Sequence, residues 1–144
     1  CCVTDRRIGL ALTRAAARGV EVRSIVPGKN DVFAVHHASR NMYAWFHARG
    51  VHLHEWGGEI LHAKTAVVDG SWCTVGTYNL DYRSWRFNLE VAVSVEDPDV
   101  AGACEQQFLL DLERAPPVDW KAFHYRSLGD RFFENFFHLF RKLL

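Results

Sequence analysis

Asp69-Gly70 lies between two β-forming runs, and this dipeptide restricts the local fold more than any other part of the 144-residue chain. Residues 60–68 are apolar or β-branched enough to form a strand and residues 71–77 to return from it. Asp-Gly is a favoured two-residue hairpin connection. With Asp69 and Gly70 alone as the loop, Val68 pairs with Ser71, Lys64 with Val75 and His62 with Thr77. Paired residues share a face and side chains alternate, so His62, Lys64, Thr77 and Asn79 are expected to project from one side. Asp69 is seven residues from His62, about 23 Å along an extended chain at ~3.3 Å per residue. That makes it a turn former rather than an acid at the site.

An imidazole, an ammonium, a hydroxyl and an amide brought together suit attack on a phosphodiester. A neutral histidine nitrogen serves as nucleophile while Lys64 and Asn79 stabilise charge on the non-bridging oxygens, with no metal or cofactor required. Such a histidine needs an acceptor on its other nitrogen, and Glu90, at the start of the next strand-like run, is the candidate. A His and a Lys two apart on a strand are by themselves usually a solvated face. Here they stand in the pattern His62-x-Lys64-x4-Asp69, then Gly76-Thr77-x-Asn79.

That spacing resembles the phospholipase D superfamily. The following Asn79-Leu80-Asp81-Tyr82-Arg83-Ser84 resembles the NxDxRS segment of its cardiolipin synthase branch. The resemblance implies that Glu90 accepts a hydrogen bond from the motif histidine and that Asp69, Gly76 and Thr77 are motif positions, with Thr77 standing where the family usually has serine. Arg83 has two readings: a bidentate holder of phosphate, or a loop ion pair with Asp81 or Glu90.

The chain is 49% apolar with formal net charge zero, which fits one globular domain and gives no general attraction to nucleic acid. Four cysteines at 1, 2, 73 and 104 form neither a disulfide framework nor a zinc ribbon pattern. His52-x-His54 and His36-His37 lack a partner Cys or acid at ligand spacing, so no metal is expected. No apolar run is long enough to span a bilayer. The abrupt start at Cys1 suggests a fragment whose upstream part is missing.

In order, an amphipathic helix over residues 5–18, capped by Thr4 or Asp5, carries Ile8, Ala11, Leu12, Ala15 and Ala16 on one stripe. A strand follows over 20–26, then a loop through Pro27-Gly28 and a helix from about 31 to 49 capped by Asn30 or Asp31. The loop and the Ala38-Ser39-Arg40-Asn41-Met42-Tyr43 run resemble cardiolipin synthase patterns. That would place Ser39, Arg40 and Tyr43 at a headgroup pocket, though ordinary helix positions explain them as well. A strand over 51–56, the hairpin, a strand over 90–95 and a helix over 97–114 complete the order. Val100, Cys104, Phe108, Leu109 and Leu112 are expected to face inward from that last helix. The expected fold is α/β: a mixed β-sheet flanked by helices on its faces, phospholipase D-like, as a single lobe.

The expected division is a catalytic lobe over residues 1–115, with the motif at 62–79, and an aromatic-rich amphipathic tail over 116–144. The tail has two readings, a helix lying in a membrane interface or one capping the lobe. Displacing an alkoxide from phosphorus needs a nucleophile on one side and an acid on the other, and the chain has one motif. It is therefore expected to be half a site, completed by a second such lobe in the parent chain or in a homodimer. By resemblance the reaction is phosphatidyl transfer from phosphatidylglycerol to give cardiolipin. The expected partners are a phospholipid and a membrane surface of bacterial inner-membrane type. A single-motif phosphodiesterase or nuclease acting as a homodimer is the alternative.

Overall fold

The computed structural model describes residues 6–29, 32–58, 60–79, 84 and 86–140. Its elements are α1 (Arg6–Ala17), β1 (Val22–Pro27), α2 (Phe33–Arg40), α3 (Tyr43–His47), β2 (Val51–Trp56), β3 (Thr65–Val68), β4 (Trp72–Gly76) and β5 (Ala92–Glu96). After these come α4 (Pro98–Glu113), α5 (Trp120–His124) and α6 (Leu128–Leu139). The caps expected at Thr4, Asp5, Asn30 and Asp31 lie outside the described residues.

The α/β class and the mixed strand directions are as expected, with the pairing divided in two. β1 and β2 run parallel, Val22 opposite Val51 through Pro27 opposite Trp56, while β3, β4 and β5 form an antiparallel sheet in that order. The helix expected over 31–49 breaks into α2 and α3 around Asn41 and Met42.

The core gathers around the parallel pair. Val26, Met42, Tyr43, Phe46, Val51, Leu53, Val118 and Phe123 are buried together, and Ile8, Leu12 and Ala16 of the α1 stripe pack against them. Residues 115–118 run beside β2: the Glu55 amide donates to the Pro116 carbonyl at 2.9 Å and the Val118 amide to the Leu53 carbonyl at 3.0 Å. Backbone groups that would otherwise be left open on β2 are thereby satisfied.

The antiparallel sheet is covered less. α4 starts at Pro98, with the Asp97 carboxylate accepting from the amides of Asp99 and Val100 as an N-cap. Its inward face is narrower than expected: Ala101 is buried and Cys104, Phe108 and Leu112 are half-buried, but Val100 and Leu109 are exposed. Cys73 is covered by this helix end, while Val75 and Val93 farther along the same sheet face stay open.

Candidate active site

The hairpin turn forms as the Asp-Gly pair dictates. Asp69 (φ 50°) and Gly70 (φ 57°) both take positive φ, as a type I′ turn requires, and the Ser71 amide closes it on the Val68 carbonyl at 3.1 Å. The ladder is displaced by one residue from the expected register. Val68 pairs with Trp72 and Thr65 with Val75, so Ser71 is an extra residue on the returning side.

A slip of one residue exchanges the faces of a strand. Lys64 now lies across from Gly76, whose amide donates to the Lys64 carbonyl at 3.0 Å, and Gly76 lies across from Ala92. Lys64, Gly76 and Ala92 form one row, and His62 and Glu90 lie beyond the strand ends. Thr77 follows on the other side of the pleat. The convergence expected through a shared face of Lys64 and Thr77 is replaced by convergence on Glu90.

Gly76 is required by this geometry. A Cβ there would lie 2.5 Å from the Val91 carbonyl oxygen and 2.7 Å from the Ala92 Cα, closer than real Cβ contacts. The glycine lets β4 and β5 approach this closely.

Thr77 ties the sheet end together. Its amide donates to the Val91 carbonyl at 2.9 Å, and its hydroxyl accepts from the Val91 amide at 3.0 Å while donating to Glu90 Oε2 at 2.5 Å. Asn88 Nδ2 donates to Glu90 Oε1 at 3.2 Å and to the Ser84 hydroxyl at 3.5 Å. The Thr77 hydrogen bond holds the Glu90 carboxyl below the usual glutamate range, with smaller contributions from Ser84, Asn88 and the Lys64 charge. Lys64 Nζ donates to the His62 carbonyl at 2.9 Å.

The His62 ring is exposed, and among the described residues no hydrogen bond joins it to Glu90. Asn79 is half-buried two residues past Thr77. Arg83 and Asp81 lie outside the described residues. Asn88 and Ser84 are the participants that sequence reasoning did not assign. The signal for Asn88 was its position two residues before Glu90.

Arg40, Ser39 and Tyr43 serve the fold. Arg40 Nη1 meets Glu55 Oε1 at 2.8 Å, Ser39 donates back to the Val35 carbonyl at 2.9 Å, and Tyr43 is buried against Phe123. A shallow cleft lined by Lys29, Gly57, Gly58 and Ile60 opens where the chain enters the motif. Among the described residues no group of His, Cys, Asp and Glu is arranged to hold a metal ion. His54 instead places Nδ1 3.0 Å from the Ala115 carbonyl.

A parallel pair, an antiparallel hairpin sheet bearing His-x-Lys before a Gly-Thr-x-Asn strand end, and covering helices define a phospholipase D-like α/β lobe. The solved structures of Nuc, a phospholipase D family member from Salmonella typhimurium, and NucT from Helicobacter pylori share the fold. Nuc gives TM-score 0.68 at 24% identity over 88% of this chain and 78% of that one. NucT gives 0.65 at 20% over 81% and 77%.

The chain belongs to the family described as cardiolipin synthase, PLD-like domain, whose model matches residues 1–112. A probable cardiolipin synthase of Bacillus subtilis (strain 168), YwiE, is 34% identical over 142 residues, 99% of this chain and 28% of that protein. Cardiolipin synthase A of Edwardsiella ictaluri is 37% identical over 137 residues, 93% of this chain and 28% of that protein. The chain thus spans just over a quarter of the length of the curated relatives it matches.

Proposed function

We propose that this chain supplies half of the active site of a phosphatidyltransferase that makes cardiolipin from phosphatidylglycerol through a phosphohistidine. Membership of the cardiolipin synthase family supports the reading, and the observation that carries it is the Lys64 charge acting on a Glu90 carboxylate anchored by Thr77.

In the first step a histidine nitrogen forms a bond to phosphorus and the bond to the glycerol oxygen breaks. The opposing histidine protonates the departing glycerol. In the second step the hydroxyl of another phosphatidylglycerol gives its proton to that histidine and attacks phosphorus, releasing the first. His62 takes one of the two roles, and the second motif lobe provides the other. Lys64 and Asn79 stabilise the oxygens of the transferring phosphoryl group. Glu90 orients the motif histidine once the second lobe covers the now exposed ring, and Arg83, if turned to the site, holds phosphate bidentately. The chemistry needs no metal or cofactor. Water in place of the acceptor alcohol would give phosphatidate, so closure of the site by the second lobe decides the product. The reading places the protein at a membrane surface of bacterial inner-membrane type.

The test is to incubate the chain with phosphatidylglycerol in mixed micelles, with and without EDTA, beside His62→Ala, alone and with a second motif lobe. EDTA-resistant cardiolipin formation that His62→Ala abolishes is the expected result. Turnover that survives His62→Ala would overturn the assignment.

The second reading is a single-motif phosphodiesterase or nuclease that completes its site as a homodimer. It draws on the two solved chains of this fold, which are close to this chain in size. Self-association together with salt-sensitive cleavage of nucleic acid would favour it. The net charge of zero weighs against it.

A further inference from the structure

The antiparallel sheet is covered along one row of side chains. Val67, Cys73 and Val95 stand opposite one another across β3, β4 and β5, and directly paired residues share a face. Cys73, at the centre of that row, is 1% exposed; Val67 and Val95 are half-buried, while Val68, Val75 and Val93 around them are open. The cover is α4. Ala101 of that helix is fully buried, and Glu105 reaches the hairpin tip, its Oε2 3.0 Å from where a Cβ on Gly70 would stand. Cys104 lies three residues after Ala101, on the same helix face, and is half-buried. Its thiol meets Cys73, and the two side chains are hydrogen-bonded.

A buried cysteine on its own is a small apolar side chain. Two free thiols brought together from a strand and a helix are a different chemical object. Burial pushes the Cys73 thiol above its ordinary range, and the hydrogen bond to Cys104, followed by the nearby charges of Cys104 and Asp97, adds to the shift. Cys73 therefore holds its proton and is screened from solution, whereas Cys104 is the sulfur that a small oxidant reaches. Among the described residues no group of three His, Cys, Asp or Glu side chains could hold a metal ion, so the pair stands as a dithiol.

We infer that Cys73 and Cys104 are a reversible redox pair, which a hydroperoxide converts to a disulfide joining β4 to α4. The Cys104 thiol attacks the peroxide: a bond forms from sulfur to one oxygen, the O–O bond breaks, and a sulfenic acid is left with release of an alcohol, or of water from hydrogen peroxide. The Cys73 thiol then attacks the Cys104 sulfur. The S–S bond forms, the S–O bond breaks, and the hydroxyl leaves with the Cys73 proton as water. Each sulfur gives up one electron, and the peroxide takes both. The sulfurs, already in hydrogen-bond contact, close to about 2.05 Å. A small dithiol reverses the bond by exchange.

The bridge encloses the chain from β4 to α4, with Thr77, Asn88 and Glu90 inside the loop, and clamps the strand that carries Gly76 to its covering helix. A link across such a loop restricts the unfolded chain, so oxidation stabilises the sheet. The pair is independent of the catalytic reading.

The test uses the chain with Cys1→Ser and Cys2→Ser, so that Cys73 and Cys104 are the thiols present. The folded protein is treated with hydrogen peroxide and followed by intact mass, non-reducing peptide mapping and thermal melting. The expected result is an intramolecular product lighter by two hydrogens, with residues 73 and 104 in one linked peptide, a raised melting temperature, and full reversal by dithiothreitol. Cys73→Ser in the same background is expected to stop at a Cys104 sulfenic acid that dimedone traps, and Cys104→Ser to give no trapped product. Linkage that forms only between molecules or only after denaturant is added, absence of the linked peptide, or a lowered melting temperature in the linked form would overturn the inference.

Discussion

The Thr77 hydroxyl donates to Glu90 Oε2 at 2.5 Å and accepts from the Val91 amide at 3.0 Å, so one side chain both closes the β4–β5 end and anchors the carboxylate. A hydroxyl at this position is therefore part of the site's electrostatics, which explains how threonine stands where serine is usual.

Thr77→Val removes the largest cause of the lowered Glu90 pKa. The Glu90 carboxyl is expected to titrate closer to the ordinary glutamate value, read by carbon NMR of the side chain, while Thr77→Ser leaves it low. Because the folded-state value lies below the unfolded one, the stability linked to Glu90 is present above the ordinary value and lost as pH falls through the folded one. The acid limb of turnover is expected to move upward in Thr77→Val. An unmoved titration would show that Asn88 and Ser84 hold the carboxylate without help.

Gly76→Ala places a methyl 2.5 Å from the Val91 carbonyl oxygen. Backbone on both strands must give, at a cost of about 1–3 kcal/mol. Urea denaturation is expected to show that loss, together with faster amide exchange at Thr77 and Val91. Slower exchange in the variant would contradict the close approach of the two strands.

Glu134→Gln leaves Arg126 and Arg40 without their shared carboxylate. Glu134 is 1% exposed but the arginines are 20% and 21% exposed, so the loss belongs at the lower end for a buried pair, about 3 kcal/mol. α6 is expected to exchange its amides before the rest of the lobe, which mass-detected hydrogen exchange would resolve.

His36 is expected to make the α2–α6 contact sensitive to acid. Burial first, then the charges of Arg40 and His37, lower its pKa, while Asp130 on α6 opposes them. With the folded value below the unfolded one, its contribution is present above about pH 6.5 and lost as pH falls toward the folded value. Melting temperature is expected to drop as pH falls below about 6.5, and His36→Gln is expected to flatten that slope. Asp130, lowered chiefly by its hydrogen bond from Ser127, acts in a separate and more acidic window.

Much of this was legible locally. The Asp69-Gly70 turn, the α1 stripe of Ile8, Leu12 and Ala16, the Asp97-Pro98 start of α4 and the break at Pro116 follow from backbone preferences acting over a few residues. The motif residues were identifiable because their types and spacing carry chemistry that few other patterns share.

Register and partnership were not legible. Whether Val68 faces Ser71 or Trp72 turns on one extra residue that the dipeptide leaves undecided, yet it determines whether Lys64 lies across from Val75 or across from Gly76. Helical spacing in the tail placed its phenylalanines on one broad side without dividing them. Packing against Phe33 took Phe133 and Phe137, and the burial of Glu134 on Arg126 fixed the rotation that leaves Phe132 and Phe136 outward. The sequence by itself determined most of the elements, the turn and the residue types of the motif, because these depend on near neighbours. Only the tertiary structure decided which side chains meet, because strand register and helix rotation depend on contacts between residues far apart in the chain.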